Sequence, residues 1–197
     1  MDSQISRQFV VGFAAAVALV AAAFSYAASV REERIGEFSP YVSKDGAIAR
    51  PTNYRDTFQH IGTSAVATKP GQSVDELHNV YSRPEDVRAY RRDGKFPDGA
   101  VLVNEVTRAG SETLTSGLSH RSAETKNWFI MVKDSKGRFP GNALWGDGWG
   151  WAMFKPNDLA KNVATDYSSD CRACHVPARK DGWVYVREYP ALRKGTE

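Results

Sequence analysis

The chain has 197 residues, of which 42% are hydrophobic and 25% charged, and its formal net charge is +3. That length suits one globular domain behind a targeting segment rather than two full domains, and the composition excludes intrinsic disorder. A charge this small, gathered in short clusters, gives no electrostatic footprint for nucleic acid.

The N-terminus differs from everything after it. No charged residue lies between Arg7 and Arg31, and Phe9 to Ala28 is almost wholly Ala, Val, Phe and Leu. Residues 1–30 therefore read either as a signal peptide or as an N-terminal membrane anchor, since about 20 apolar residues can cross a bilayer. The small residues Ser25-Tyr26-Ala27-Ala28 favour cleavage, whereas the length and the weakly basic start, Asp2 against Arg7, favour retention. Both readings deliver the rest of the chain to the periplasmic face of the inner membrane, with membrane contact through residues 9–28 if the segment is retained.

Residues 31–53 carry Pro, Gly and Lys-Asp breaks and read as a tether, with compact folding expected from Tyr54. Tyr54 to Gly62 suits a short helix or a strand, and Glu76 to Tyr81 alternates like a strand. Pro84 to Arg92 predicts a helix: Pro and acidic residues occupy its first turn, basic residues its last, and Gly94 follows. Gly99 to Arg108, Trp128 to Val132 and Trp151 to Phe154 predict strands, with a loop from Lys136 to near Trp149. Asn157 to Asn162 reads as a helical turn, and the alternation Trp183-Val184-Tyr185-Val186 as a last strand ending at Tyr189. Strands joined by short loops with few helices give an α+β domain dominated by an antiparallel sheet over residues 54–197. A four-helix bundle is excluded.

Two cysteines in an exported domain would ordinarily suggest one disulfide, but here they stand as Cys171-Arg172-Ala173-Cys174-His175. This order supplies two thiols that can add across haem vinyl groups and an adjacent imidazole that can reach the iron. Three other readings compete with it. A thioredoxin-like pair needs a βαβ context, which is not visible. A zinc site needs four ligands, and His60, His78 and His120 show no paired metal spacing. A disulfide across two intervening residues is strained. One covalently attached haem c, held by Cys171 and Cys174 with His175 as proximal iron ligand, is the reading the pentapeptide favours. Attachment of c-type haem takes place after export, in keeping with the N-terminal segment.

The run Tyr54-Arg55-Asp56 with Ile61-Gly62-Thr63, then Asn79-Val80-Tyr81, Gly94 to Gly99 leading into Val101-Leu102-Val103, Arg138-Phe139-Pro140, Gly148-Trp149 and finally Cys171 to His175 resembles the cytochrome P460 family, which includes the β-sheet cytochromes c′. The resemblance covers roughly Tyr54 to Leu192. It implies a mainly antiparallel β fold that dimerises through its sheet, with one pentacoordinate haem whose face opposite His175 is open to a small ligand. Members of the family either oxidise hydroxylamine or bind nitric oxide or carbon monoxide without turnover. In the hydroxylamine-oxidising members a lysine on the strand after the Phe-x-Asp-Gly turn is cross-linked to the haem, and the corresponding residue here is Asn104. An amide nitrogen lacks the nucleophilicity of a lysine amine, so the cross-link is not expected.

The reading that follows is a mono-haem cytochrome binding nitric oxide or a similar ligand, with oxidation of hydroxylamine or related nitrogen species, and electron transfer, as alternatives. His78 and Asp166 are candidate distal residues, for hydrogen bonding or acid-base work. Against that, His78 also suits a polar strand position and Asp166 a cap or loop. Met131 and Met153 are potential thioether ligands but fit strand packing better. Trp145, Trp149, Trp151 and Phe154 suit a haem wall, sheet core or dimer contact. Arg83, Arg88, Arg91, Arg92 and Lys95 form a basic helix face, solvated or docked against an acidic redox partner protein.

Overall fold

The computed structural model describes residues 38–67 and 69–194, so the apolar segment at residues 9–28 lies outside the described residues. Among the described residues no helix is long and apolar enough to cross a membrane. The described chain is built on one six-stranded sheet in the order β1-β2-β3-β4-β6-β5. Its strands are β1 (Gln59–Val66), β2 (Glu76–Ser82), β3 (Val101–Leu114), β4 (Gly117–Lys133), β5 (Trp145–Gly146) and β6 (Trp149–Phe154). Every pair is antiparallel. Four helices accompany them, α1 (Tyr54–Thr57), α2 (Pro84–Asp93), α3 (Tyr167–Asp170) and α4 (Arg172–His175), followed by three 3₁₀ turns at Val176–Asp181, Val186–Glu188 and Pro190–Leu192. The expected α+β domain dominated by an antiparallel sheet is the fold observed.

Register sorts the side chains onto two faces, because residues directly opposite in an antiparallel pair project the same way. His78, Val80 and Ser82 share a face with Val106, Asn104 and Leu102, and these continue through Phe129 and Met131 to Met153 and Trp151. Leu77, Tyr81, Val103, Glu105, Trp128 and Ile130 belong to the other. That second face is covered by the segment before β1. Tyr54 Oη accepts from Trp128 Nε1 at 2.9 Å, Tyr54 packs edge-on against Tyr81, and Arg50 lies over the Trp128 ring. Ile48 and Pro51 are buried as well, so packing begins ahead of Tyr54, earlier than the sequence suggested.

The first face is covered at two places. Helix α2 sets Val87 against it, and the chain after α4 lays Trp183, Val184, Tyr189 and Leu192 into the same cluster as Ile61, Val80, Leu102, Met131, Trp149 and Trp151. The approach to β1 is close enough to need Gly62, where a Cβ would sit 2.8 Å from the Glu188 carbonyl oxygen. Between these covers, His78, Asn104, Phe129 and Met153 are only half-buried. This strip of the sheet faces outward from the core beside the Cys-x-x-Cys-His segment.

Three sequence expectations are corrected. Trp183 to Tyr189 is not a strand but a bend leading into 3₁₀ turns, with Trp183 at φ 71°. Asn157 to Asn162 is not helical: Asp158 Oδ1 accepts from the backbone of Ala160 and Lys161, and Asn162 Oδ1 from Met153 and Ala164, so the side chains take the bonds a helix would need. The basic face of α2 is not uniformly solvated either. Arg83 is committed to Asp86 and Arg91 Nε donates to the Ala191 carbonyl at 2.6 Å, which leaves Arg88, Arg92 and Lys95 exposed. In addition β3 and β4 run beyond the rest of the sheet as a two-stranded arm, paired from Ala109 with Ser122 to Leu114 with Gly117.

On the second face Glu105 is 3% exposed and accepts from Arg55, with Nε at 3.2 Å, and from Thr125 Oγ1 at 2.7 Å. Burial alone would raise its pKa, but the bonds from Arg55 and Thr125 outweigh it and hold the carboxyl below its ordinary value. A group lowered in the folded state contributes stability above its unfolded pKa, about 4.3, and loses it as pH falls through the folded value. Glu105→Gln is therefore expected to cost about 1–3 kcal/mol at pH 7. Urea unfolding should show the gap from the parent chain closing below about pH 4.

Candidate functional site

The Cys-x-x-Cys-His segment is held by the sheet edge rather than by its own short helices. β5 and β6 are joined by Asp147-Gly148, both with positive φ (54° and 79°), the pairing that a two-residue type I′ hairpin demands. This turn aims the Asp147 carboxylate at the segment, where it accepts from Tyr167 Oη and from Arg172 Nε at 3.2 Å. Arg172 also reaches over the Trp183 ring at 5.4 Å, and Tyr167 stacks on Trp151 with ring centroids 5.6 Å apart. Residues on both sides of Cys171 are thus fixed to the sheet. Gly146 is needed for that fit, because a Cβ there would lie 2.2 Å from Tyr167 Cε1. Gly146→Ala must push Tyr167 off Trp151, and is expected to cost about 1–3 kcal/mol. Thermal unfolding should show a lower midpoint, while Gly71→Ala, where nothing crowds the new methyl, serves as a control that costs only backbone strain.

Asp166 caps this region. Its Oδ1 accepts from Ser168 N at 2.7 Å and Ser169 N at 3.2 Å, satisfying two donors at the start of α3. That carboxylate is engaged with its own helix.

His175 is oriented by a single backbone group. Its Nδ1 donates to the Trp183 carbonyl at 2.8 Å, and the ring meets Trp151 edge-on at 4.8 Å. With the proton placed on Nδ1, Nε2 keeps its lone pair, which is the arrangement a ligating histidine needs. Burial lowers the His175 pKa, with the bond to Trp183 opposing, so the neutral ring is favoured. The positive φ of Trp183 belongs to this arrangement. A bulky residue pays a backbone cost at φ 71°, and here that conformation comes with the carbonyl's bond to His175. The neighbouring Gly182 carbonyl is fixed by Trp149 Nε1 at 2.9 Å.

Both cysteines are free thiols, Cys171 buried and Cys174 exposed. Burial pushes the Cys171 thiol up to about 11. A disulfide-exchange pair works through a thiolate of lowered pKa, so this environment opposes the thioredoxin-like reading. Among the described residues there is also no group of three or more His, Cys, Asp or Glu arranged to hold a metal ion. His60 bonds Thr63 Oγ1 at 2.8 Å, and His120 bonds Ser111 Oγ at 2.9 Å on the hairpin arm.

The strip of sheet beside this segment carries His78 and Asn104, diagonal neighbours on β2 and β3. His78 Nε2 contacts Glu76 Oε2 at 3.2 Å, and His78 Nδ1 contacts Asn104 Nδ2 at 3.4 Å. Glu76 is also paired with Lys126. Burial tends to raise the Glu76 pKa, but the bonds from Lys126 and His78 prevail and lower it, so it stands as a carboxylate. Asn104 Oδ1 is buried and has no hydrogen-bond partner. Of the two candidate thioether ligands, Met131 is packed in the core and Met153 is half-buried on the strip. Trp149 and Trp151 belong to the core cluster, and Phe154 is buried on the opposite face.

The donor set therefore fits a c-type haem: two unpaired thiols, an imidazole with a free Nε2, and a half-exposed strip with an orphaned polar atom to lie over. The family model for cytochrome P460 matches residues 51–186, a span that takes in the sheet, the strip and the Cys-x-x-Cys-His segment. Comparison with curated proteins gives no match. The match extends over more than half of the chain and over every element that builds the site, and the chain belongs to the cytochrome P460 family.

Proposed function

We propose that this chain is an extracytoplasmic mono-haem cytochrome that binds nitric oxide or a similar small ligand at an open iron face. The family implies a c-type haem, and its members are generally extracytoplasmic. Cys171 and Cys174 would hold the group by thioether bonds, each S–H adding across a vinyl C=C so that sulfur takes one carbon and hydrogen the other. His175 Nε2 would ligate the iron from the same side. When bound, the haem supplies an iron centre able to take a diatomic ligand and to change oxidation state.

The observation that carries this reading is the state of the two histidines. His175 has its Nδ1 engaged and its Nε2 free, whereas both ring nitrogens of His78 are engaged, by Glu76 and Asn104. A histidine so held has neither ring nitrogen free to ligate iron. The electron-carrier alternative needs a second strong ligand, and core packing of Met131 weighs against it. Hydroxylamine oxidation through a cross-linked haem is disfavoured by Asn104, which sits on the strip where the lysine of such enzymes would be required.

Absorption titration tests the proposal. Ferrous protein from a host able to attach haem should be high-spin and should convert to a nitrosyl or carbonyl form on addition of nitric oxide or carbon monoxide. A low-spin spectrum unchanged by either gas would overturn it. Hydroxylamine with an artificial electron acceptor should give no turnover above that of free haem.

A further inference from the structure

The cations of this chain are not spread evenly. Residues 88–95 and 179–194 hold nine Lys and Arg against three Asp and Glu, a net +6 where the whole chain carries +3, so everything else sums to −3. The two stretches form one surface. Arg91 Nε donates to the Ala191 carbonyl at 2.6 Å, and Tyr90 of α2 joins Val186, Arg187, Leu192 and Arg193 around a cleft of about 370 Å³. The three acids already have partners: Asp93 is paired with Arg92 at 2.6 Å, Asp181 with Arg187 at 3.5 Å, and Glu188 accepts from Ser64 Oγ at 3.3 Å. Among the described residues Arg88, Lys95, Lys180, Arg193 and Lys194 are exposed and make no ion pair. A segregated field of one sign steers and orients a partner of the opposite sign.

This surface backs onto the segment that carries the candidate iron ligand. Val186, in the cleft wall, follows Tyr185, whose Oη donates to the Cys174 carbonyl at 2.5 Å and whose ring lies 6.0 Å from that of His175. Arg179, also exposed, lies over the Trp183 ring at 5.9 Å, and the Trp183 carbonyl accepts from His175 Nδ1. Each path reaches the Cys-x-x-Cys-His segment through one aromatic residue. Nδ1 is the nitrogen remote from the iron, so a partner docked here leaves the opposite iron face to the small ligand.

Resting on the haem proposed above, we propose that this basic surface docks an acidic one-electron carrier protein, which exchanges an electron with the haem iron by way of Tyr185 and Trp183. Binding of a gas to ferrous iron requires a reductant, and the carrier supplies it: its centre loses one electron, ferric iron becomes ferrous, and no bond is made or broken. A membrane surface fits less well. Tyr90 and Val186 are half-buried and Leu192 is buried, whereas lipid binding needs apolar side chains that stand out to insert. A cleft flanked by Arg187 and Arg193 suits a protruding carboxylate instead.

An acidic [2Fe–2S] ferredoxin is the probe and the haem-loaded full chain the sample. With both proteins oxidised no electron moves, and calorimetry reads docking alone. Affinity should fall about tenfold or more between about 10 mM and about 200 mM salt. At low salt Arg193→Glu should weaken binding about tenfold, while Arg121→Glu, the same charge change on the exposed hairpin arm, should stay within about twofold. Reduced ferredoxin should then convert ferric to ferrous haem about tenfold more slowly in Arg193→Glu at low salt, and at the parent rate at high salt. Affinity indifferent to salt, or equal weakening by Arg121→Glu, overturns the docking surface. So do anionic phospholipid vesicles that bind the parent chain and release Arg193→Glu while both keep the same affinity for ferredoxin. These outcomes leave carbon monoxide binding untouched; failure of that gas to bind overturns the ligand-binding function and not the docking.

Discussion

His175→Gly is expected to retain covalently bound haem and lose its axial nitrogen. The two thiols proposed to carry the group are untouched, so haem should stay with the chain through denaturing electrophoresis. The visible spectrum of the ferrous protein should change completely, and added imidazole should restore it, since the space vacated by the ring is bounded by Trp151 and the Trp183 carbonyl. Removing the ring also leaves that buried carbonyl without its donor, a cost of about 1–3 kcal/mol that imidazole should partly recover. A spectrum unaltered by the substitution would mean that the iron is held by another residue.

Arg83→Met is expected to give the largest loss of stability, although it lies at the N-cap of α2, away from the thiols. Asp86 is 2% exposed and accepts from Arg83 Nε at 2.7 Å, Arg83 Nη2 at 2.9 Å and Val101 N at 3.1 Å. Arg83 Nη2 also donates to the Gly99 carbonyl at 3.0 Å. One ion pair thus ties α2 to the start of β3, three residues before Asn104. Losing the cation strands a buried carboxylate, at a cost of about 3–5 kcal/mol. The thermal midpoint should fall by roughly 6 to 20 °C. Burial already raises the Asp86 pKa, with Arg83 as the main opposing influence, and removing Arg83 raises it further. A raised carboxyl contributes stability below its unfolded pKa, about 3.9, and loses it as pH rises through the folded value. The deficit of Arg83→Met should therefore shrink as pH falls from 7 toward about 4, a higher window than the one in which the Glu105→Gln gap closes.

The parts of the fold that the sequence made legible are those whose local pattern agrees with their tertiary role. Helix α2 has Pro at its start, acids in the first turn and Gly94 in the left-handed region at its end, so propensity and packing point the same way. Val101, Val103 and Trp151-Ala152-Met153-Phe154 are strands because apolar residues cover both faces of the central sheet. Trp183 to Tyr189 misled because its alternation arises from something else. Trp183, Val184 and Tyr189 are buried under the sheet rather than within it, and the αL bend at Gly182-Trp183 turns a carbonyl toward His175. Alternation in the sequence cannot distinguish a strand from an irregular covering segment whose apolar residues are tucked inward. The outer half of the β3–β4 arm was missed for the opposite reason, since Ser111-Glu112-Thr113 and Ser119-His120-Arg121 carry no apolar face and are paired only with each other.

At the site, the pentapeptide pointed to haem attachment by itself, because two thiols and an imidazole at that spacing have few other uses. What supports it was not legible. Asp147 gives no sign in sequence that it anchors Arg172, and the orienting acceptor for His175 is a backbone carbonyl, a group every residue possesses. The signal available was Asp147-Gly148 as a hairpin dipeptide just ahead of the apolar run. His78 and Asn104 stood 26 positions apart and had meaning separately; the antiparallel register of β2 and β3 makes them neighbours.

The proposed function requires one covalent haem at Cys171, Cys174 and His175, and the intact mass of the purified chain, followed by fragmentation, decides whether it is there. The expected result is the mass of the chain plus one haem, with the added mass confined to the peptide spanning Cys171 to His175. A chain at its bare polypeptide mass, or one lighter by two hydrogens from a Cys171–Cys174 disulfide, when expressed where haem attachment operates, would contradict it.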